Sequence, residues 1–196
     1  MFNSFSQLYN ELLEVTAEHS VFSYQVVICF LYLSALAWSL IKARRGLESF
    51  SNFITISVVS AKYILTTLLM EFALVYVQEE GIIGNVQNVY LALSLSNLLA
   101  IFACYKLHKH LSYTFSALYF TAIKMMAILF FANLALWVKF VLLDIQEGLV
   151  FLHYAFSFLY WYTTISLAIV MFFPAIILTR IGVIVGLSLS YRYKNV

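Results

Sequence analysis

The sequence predicts an all-α polytopic membrane protein, a bundle of five transmembrane helices with its N-terminus outside and its C-terminus in the cytoplasm. Three observations carry that expectation. Hydrophobic residues fill 64% of the 196 positions and charged residues 10%, which leaves too little polar surface to cover a water-soluble core. Apolar runs recur at the length of about 20 residues that a bilayer requires. Apart from Lys139 at the edge of the fourth run, Lys and Arg outside those runs fall between them on alternate sides only, and the positive-inside rule turns that asymmetry into an orientation.

Residues 1–20 read as a short amphipathic helix at the outer interface. Phe2, Phe5, Leu8 and Leu12 recur at three-to-four spacing, Gln7, Asn10, Glu11, Glu14 and Glu18 take the other side, and Ser4 with Gln7 makes a capping box. The stretch lacks the basic start of a signal peptide. Having no Lys or Arg, it gains nothing from anionic lipid, so docking on protein competes with lying on the membrane.

The transmembrane domain covers 21–180, with spans at 21–41, 53–77, 86–105, 115–138 and 149–178. Lys42, Arg44 and Arg45 follow the first span, Lys106 and Lys109 the third, and Arg180 the fifth, whereas Glu79, Glu80, Asp144 and Glu147 lie on the other side. A sixth span at 172–190 would bury Arg180 and export Arg192 and Lys194, reversing the pattern, and is rejected. All six glycines lie outside the five spans and the single proline, Pro174, lies near the end of the last, so the first four helices should be continuous and the fifth kinked. Unbroken helices count against a carrier built from unwound half-helices. Residues 181–196 read as a cytoplasmic interfacial tail, although Gly182 and Gly186 at four-residue spacing also suit packing on a partner helix. Sliding the chain on itself superposes 25–77 on 87–139, matching Gln25 with Gln87, Ser34 with Ser96 and Lys62 with Lys124; tandem helical hairpins would produce this, and so would shared composition.

Lys62 and Lys124 are the costliest residues. Counted from the nearer span boundary, Lys62 comes out about 14 Å deep at 1.5 Å per residue, and Lys124 at nearly the same depth. A charge there costs about 2.5–3.5 kcal/mol or more, and groups so placed tend to face an interior, water or a partner. Thr66 shares the Lys62 stripe, Thr121 precedes Lys124 by three residues, and Asn97 offers an amide at similar depth, while no acid does. These five residues therefore form a candidate site for an anion, a lipid headgroup or another subunit's carboxylate. Two alternatives are lysines left neutral by desolvation and lysines that snorkel to the surface. Glu71 and Lys139 are expected to pair near the outer ends of their helices. Lys42, Arg44, Arg45, Lys106, Lys109 and Arg180 form a candidate cytoplasmic partner surface.

No metal or cofactor is expected. His108 and His110 lie in "YKLHKHL", read as a solvated basic turn; His19 and His153 are two ligands without a third; no histidine falls midway along a span to hold haem. Cys29 and Cys104 come out near opposite faces, too far apart for a disulfide, and read as packing thiols. Trp38 and Trp137 fall toward helix ends, as interfacial anchors do. No Ser-His-Asp grouping, phosphate loop or facing carboxylate pair is present, so a lipid-modifying enzyme ranks lowest. The first functional reading is a non-enzymatic membrane subunit that assembles as a homo-oligomer or with other membrane chains and anchors or signals to a cytosolic protein. The second is an anion channel or small-solute transporter using the two lysines. The bilayer is the expected medium, a bacterial inner membrane the expected location, and nucleic acid is not an expected partner.

Overall fold

The computed structural model describes residues 24–80, 87–112, 114–145 and 148–188, without side chains for 24–25 and 71–80. The expected amphipathic helix at 1–20, with His19, and the residues Arg192 and Lys194 lie outside the described residues, as does the side chain of Glu71.

Five helices are long and apolar enough to cross a membrane, the architecture of a multi-pass membrane protein. They are α1 (Tyr24–Arg44), α2 (Phe50–Glu80), α3 (Asn88–Leu107), α4 (Ala117–Trp137) and α5 (Val150–Phe172). Hydrocarbon offers the backbone no hydrogen-bond partner, so each apolar run closes its own bonds as a helix. α3 and α4 continue into single π-helical turns at His108–Ser112 and Val138–Leu142. The α1–α2 turn is tighter than the sequence implies. Gly46 takes φ 70°, Leu47 N donates to Lys42 O at 2.9 Å and Gly46 N to Ala43 O at 3.0 Å, the paired bonds of a glycine-terminated helix. Ser49 Oγ then accepts from Asn52 N and opens α2.

Consecutive helices pack side by side, α5 returns beside α1, and α2 also meets α4 across the middle. That makes α2 the most enclosed of the five. Tyr32, Ile56, Tyr63, Leu118, Met125, Met126 and Leu167 fill the interior, each 2% exposed or less. Phe30, Leu68, Leu99, Phe131 and Phe158 point outward, 62–70% exposed, as a lipid-facing surface requires. Buried hydroxyls tie helices together from within: Ser60 Oγ donates to Tyr32 O at 3.0 Å, Tyr32 OH to Thr164 O at 2.9 Å and Ser94 Oγ to Phe130 O at 3.1 Å. Each such bond between helices contributes about 0.6–2 kcal/mol in a membrane.

The fifth helix departs from expectation. It ends at Phe172 instead of kinking and continuing to residue 178, because Pro174 pushes Phe173 out of the helical region, to φ −130° and ψ 70°, and brings no N–H. A 3₁₀ turn (Pro174–Leu178) follows, and Thr179 caps the short α6 (Arg180–Ile184) by accepting from Gly182 N at 3.2 Å. Residues 181–188, expected to begin an interfacial tail, fold back onto the bundle. Ile177 and Leu187 are buried in the same core as Leu118 and Met171. Gly182 permits that return, since a Cβ there would drive into the Ile176 and Ile177 carbonyl oxygens.

Candidate functional site

Lys62 is 6% exposed, midway along the apolar part of α2. Its Nζ lies 3.9 Å from the centroid of the Tyr63 ring, and the Tyr32 ring stacks on Tyr63 at the same centroid distance, 3.9 Å. Two groups that close cannot occupy one ring face, so Tyr63 is held between a phenol and an ammonium. A cation over a desolvated aromatic face gains about 2 kcal/mol. Tyr63 OH meets Thr164 Oγ1 at 3.3 Å, which fixes the ring against α5. Among the described residues Lys62 has no hydrogen bond and no carboxylate partner. Thr66, one turn further along, donates to Tyr63 O at 3.1 Å within its own helix.

Asn97 stands level with Lys62 on the facing helix. His108 of α3's terminal turn contacts Ser51 Oγ at 3.0 Å and Thr55 Oγ1 at 3.4 Å on α2, which fixes the antiparallel register. Cys104 lies one turn back from His108 and so level with Thr55. Two further turns along each helix lead from Thr55 to Lys62 and from Cys104 to Asn97, so both stay on the facing stripes. Asn97 is 2% exposed; its Nδ2 donates to Leu93 O at 2.8 Å, which fixes the amide orientation, and its Oδ1 is buried with no partner. Ser96 Oγ is likewise buried and unpartnered. Asn133 on α4 repeats the arrangement, Nδ2 to Leu129 O at 2.7 Å with Oδ1 unpartnered.

Lys124 does something different. Its Nζ donates to Gly186 O at 2.6 Å, Thr121 Oγ1 donates to Leu187 O at 2.9 Å, and Tyr162 OH donates to Val185 O. Three consecutive carbonyls of the returning segment thus each accept from a side chain of α4 or α5. Irregular backbone is tolerated at membrane depth only when protein groups satisfy it in this way. Tyr162 lies about 15 Å of helical rise before the end of α5, so the segment reaches well back along the bundle. Lys124 is also not level with Lys62. The Ser94–Phe130 and Asn88–Trp137 contacts set the α3–α4 register and put Lys124 about one turn, roughly 6 Å, closer to the end that carries Arg44 and Lys106.

At that end Arg44, Arg45, Lys106, Lys109 and Arg180 are exposed. Lys42, grouped with them from the sequence, is half-buried instead and donates to Phe172 O at 3.3 Å, capping a carbonyl left free where α5 stops. Glu48 accepts from Ser39 Oγ at 2.7 Å. At the opposite end Lys139 is 2% exposed with Nζ 4.5 Å from the Phe140 centroid, and His153 packs on the same Phe140 ring at 5.3 Å; the expected Glu71 pairing falls outside the described side chains.

His108 corrects the sequence reading. It is fully buried, not solvated, while His110 two residues on is exposed. Its Nδ1 lies 2.8 Å from Cys104 O and its Nε2 within reach of both Ser51 Oγ and Ser51 O, at 3.0 and 3.1 Å; Phe115 and Tyr119 cover the ring. Ser51 Oγ in turn accepts from Ser116 N at 3.1 Å, so one imidazole organises the ends of α2, α3 and α4. The i, i+4 pairs Ser51/Thr55 and Cys104/His108, at facing helix ends, were the available signal. The His108→Leu variant is expected to unfold more easily by about 3 kcal/mol, since it strands a buried carbonyl and a buried hydroxyl. Detergent-denaturation midpoints measure this, and His110→Leu should leave them unchanged.

Cys29 and Cys104 are both free thiols. Cys104 Sγ lies 3.7 Å from His108 Nδ1, but both side chains are buried, and that nitrogen is nearer the Cys104 carbonyl. Among the described residues no three or more His, Cys, Asp or Glu side chains gather as metal ligands would. The arrangement can therefore hold a polar group near Lys62 and Asn97, anchor a returning segment, and present cations at one end. No family model matches the chain, and neither a curated protein nor a solved structure matches it.

Proposed function

We propose that the chain is a non-enzymatic integral membrane subunit, oligomeric or assembled with other membrane chains, that anchors or signals to a cytosolic protein of acidic surface. In this reading it sits in a bacterial inner membrane with its basic end in the cytoplasm, as the distribution of Lys and Arg favours. The supporting observation is the makeup of that end. Arg44, Arg45, Lys106, Lys109 and Arg180 are exposed there, and the one acid among the described residues nearby, Glu48, is already bonded to Ser39. Uncompensated surface charge steers an oppositely charged partner and is screened by salt. The alternative, an anion-conducting bundle using both lysines, draws support from Lys62 alone, because Lys124 serves the Gly186 carbonyl.

Native mass measurement in mild detergent tests the proposal. A complex holding a soluble acidic chain should persist at low ionic strength and fall apart near about 1 M salt, where screening acts within about 3 Å. A single chain carrying Gln at positions 44, 45, 106 and 109, with Lys42 and Arg180 kept for orientation, should lose that chain while keeping its helicity. A bare monomer at every salt concentration would refute the reading.

A further inference from the structure

We propose that the space between α2 and α3 at the level of Lys62 and Asn97 binds a small oxyanion that carries one hydroxyl, such as bicarbonate or monobasic phosphate. The site is independent of the basic end. Lys62 brings three N–H donors and a positive charge, and what the structure gives it is the face of Tyr63. Asn97 brings an acceptor, because Leu93 O takes one of the two Nδ2 hydrogens and fixes the amide with its buried Oδ1 unpartnered. The buried groups therefore ask for acceptor oxygens on one side and for a donor on the other.

That combination narrows the ligand. A carboxylate answers Lys62 but leaves Asn97 Oδ1 facing another lone pair. A halide has the same fault. A protonated oxyanion places its unprotonated oxygens on the ammonium and donates its own O–H to the amide oxygen, answering the charge and the unpartnered acceptor together.

The decisive comparison is bicarbonate against nitrate, planar ions of like size and charge that differ in the O–H. The full chain, purified in detergent, is titrated with each salt at matched ionic strength and its thermal midpoint followed; monobasic phosphate forms a third arm and chloride a fourth. A bound ligand raises the midpoint along a saturable curve. Bicarbonate, phosphate or both should do so at concentrations at least tenfold below nitrate and chloride, and whichever of the two acts at lower concentration identifies the ligand. Lys62→Met should abolish the response, Asn97→Leu should bring bicarbonate and nitrate together, and Asn133→Leu, which removes the similar amide outside the site, should keep them apart. The wild-type comparison stands alone if a variant fails to fold. Equal responses to bicarbonate and nitrate would mean that water serves these groups, and that result, a missing response to both hydroxylated ions, or a response that survives Lys62→Met overturns the proposal.

Discussion

Gly182→Val detaches the returning segment. The added side chain meets two backbone carbonyls, at Ile176 and Ile177, which have no rotamer by which to yield. The segment must then leave its seat, taking Leu187 out of the core and stripping acceptors from Lys124 and Tyr162, while Thr121 keeps Ala117 O. Losing a buried leucine's contacts costs about 2–5 kcal/mol. The five long helices stay paired through contacts that do not involve residues 181–188. Hydrogen exchange over 181–188 should therefore rise to that of an open chain while the middles of α2 and α4 remain protected. A cysteine introduced at Leu187 should react with a water-soluble thiol reagent in the Gly182→Val background and not otherwise. Unchanged exchange in the segment would show that it is held by something other than this close approach.

Lys62→Met is expected to act in the opposite direction and raise stability. The substitution keeps an unbranched stem of similar volume and removes a charge that no described carboxylate neutralises. Against it stands the lost cation–aromatic contact with Tyr63, about 2 kcal/mol. In its favour is relief of a desolvation penalty of several kcal/mol. Replacing buried ions by apolar groups of like shape has raised stability by about 1–4 kcal/mol, and a gain of about 1–3 kcal/mol is expected here. Denaturation midpoints in a buffer free of bicarbonate and phosphate measure it. A clear loss of stability would mean that the ammonium is better satisfied than the Tyr63 face alone accounts for. Lys124→Met should lose stability instead, because its amine has a carbonyl to serve. The two lysines that sequence places together are thus separated by sign.

The long helices were legible because span length is a property of composition: any apolar run of adequate length closes its own backbone bonds. Orientation within the bundle was partly legible, through Thr55, Lys62 and Thr66 on one stripe and Asn97 in reach. The partner of Lys124 was not. It is a main-chain carbonyl, and carbonyls carry no letter, so a search for an acid could not find it. The segment that supplies it, "RIGVIVGL", is too short to register as a span, and its flanking Arg180 pulled the reading toward a solvated tail; the run of apolar residues between the glycines was the overlooked sign. His108 was hidden by its neighbours Lys106, Lys109 and His110, which are exposed. Burial in a helix end is set by the rotation of that end, and here His108 turns inward onto Ser51 while the flanking cations turn out.

The seating of residues 181–188 also sets an order of events during biosynthesis. Translation delivers Lys124, Thr121 and Tyr162 into the bilayer before the carbonyls of Val185, Gly186 and Leu187 exist as a chain outside the ribosome. Until that stretch arrives, the Lys124 amine and the Tyr162 hydroxyl lack these acceptors, while Thr121 has the Ala117 carbonyl of its own helix. Closure is therefore a late, post-insertional step.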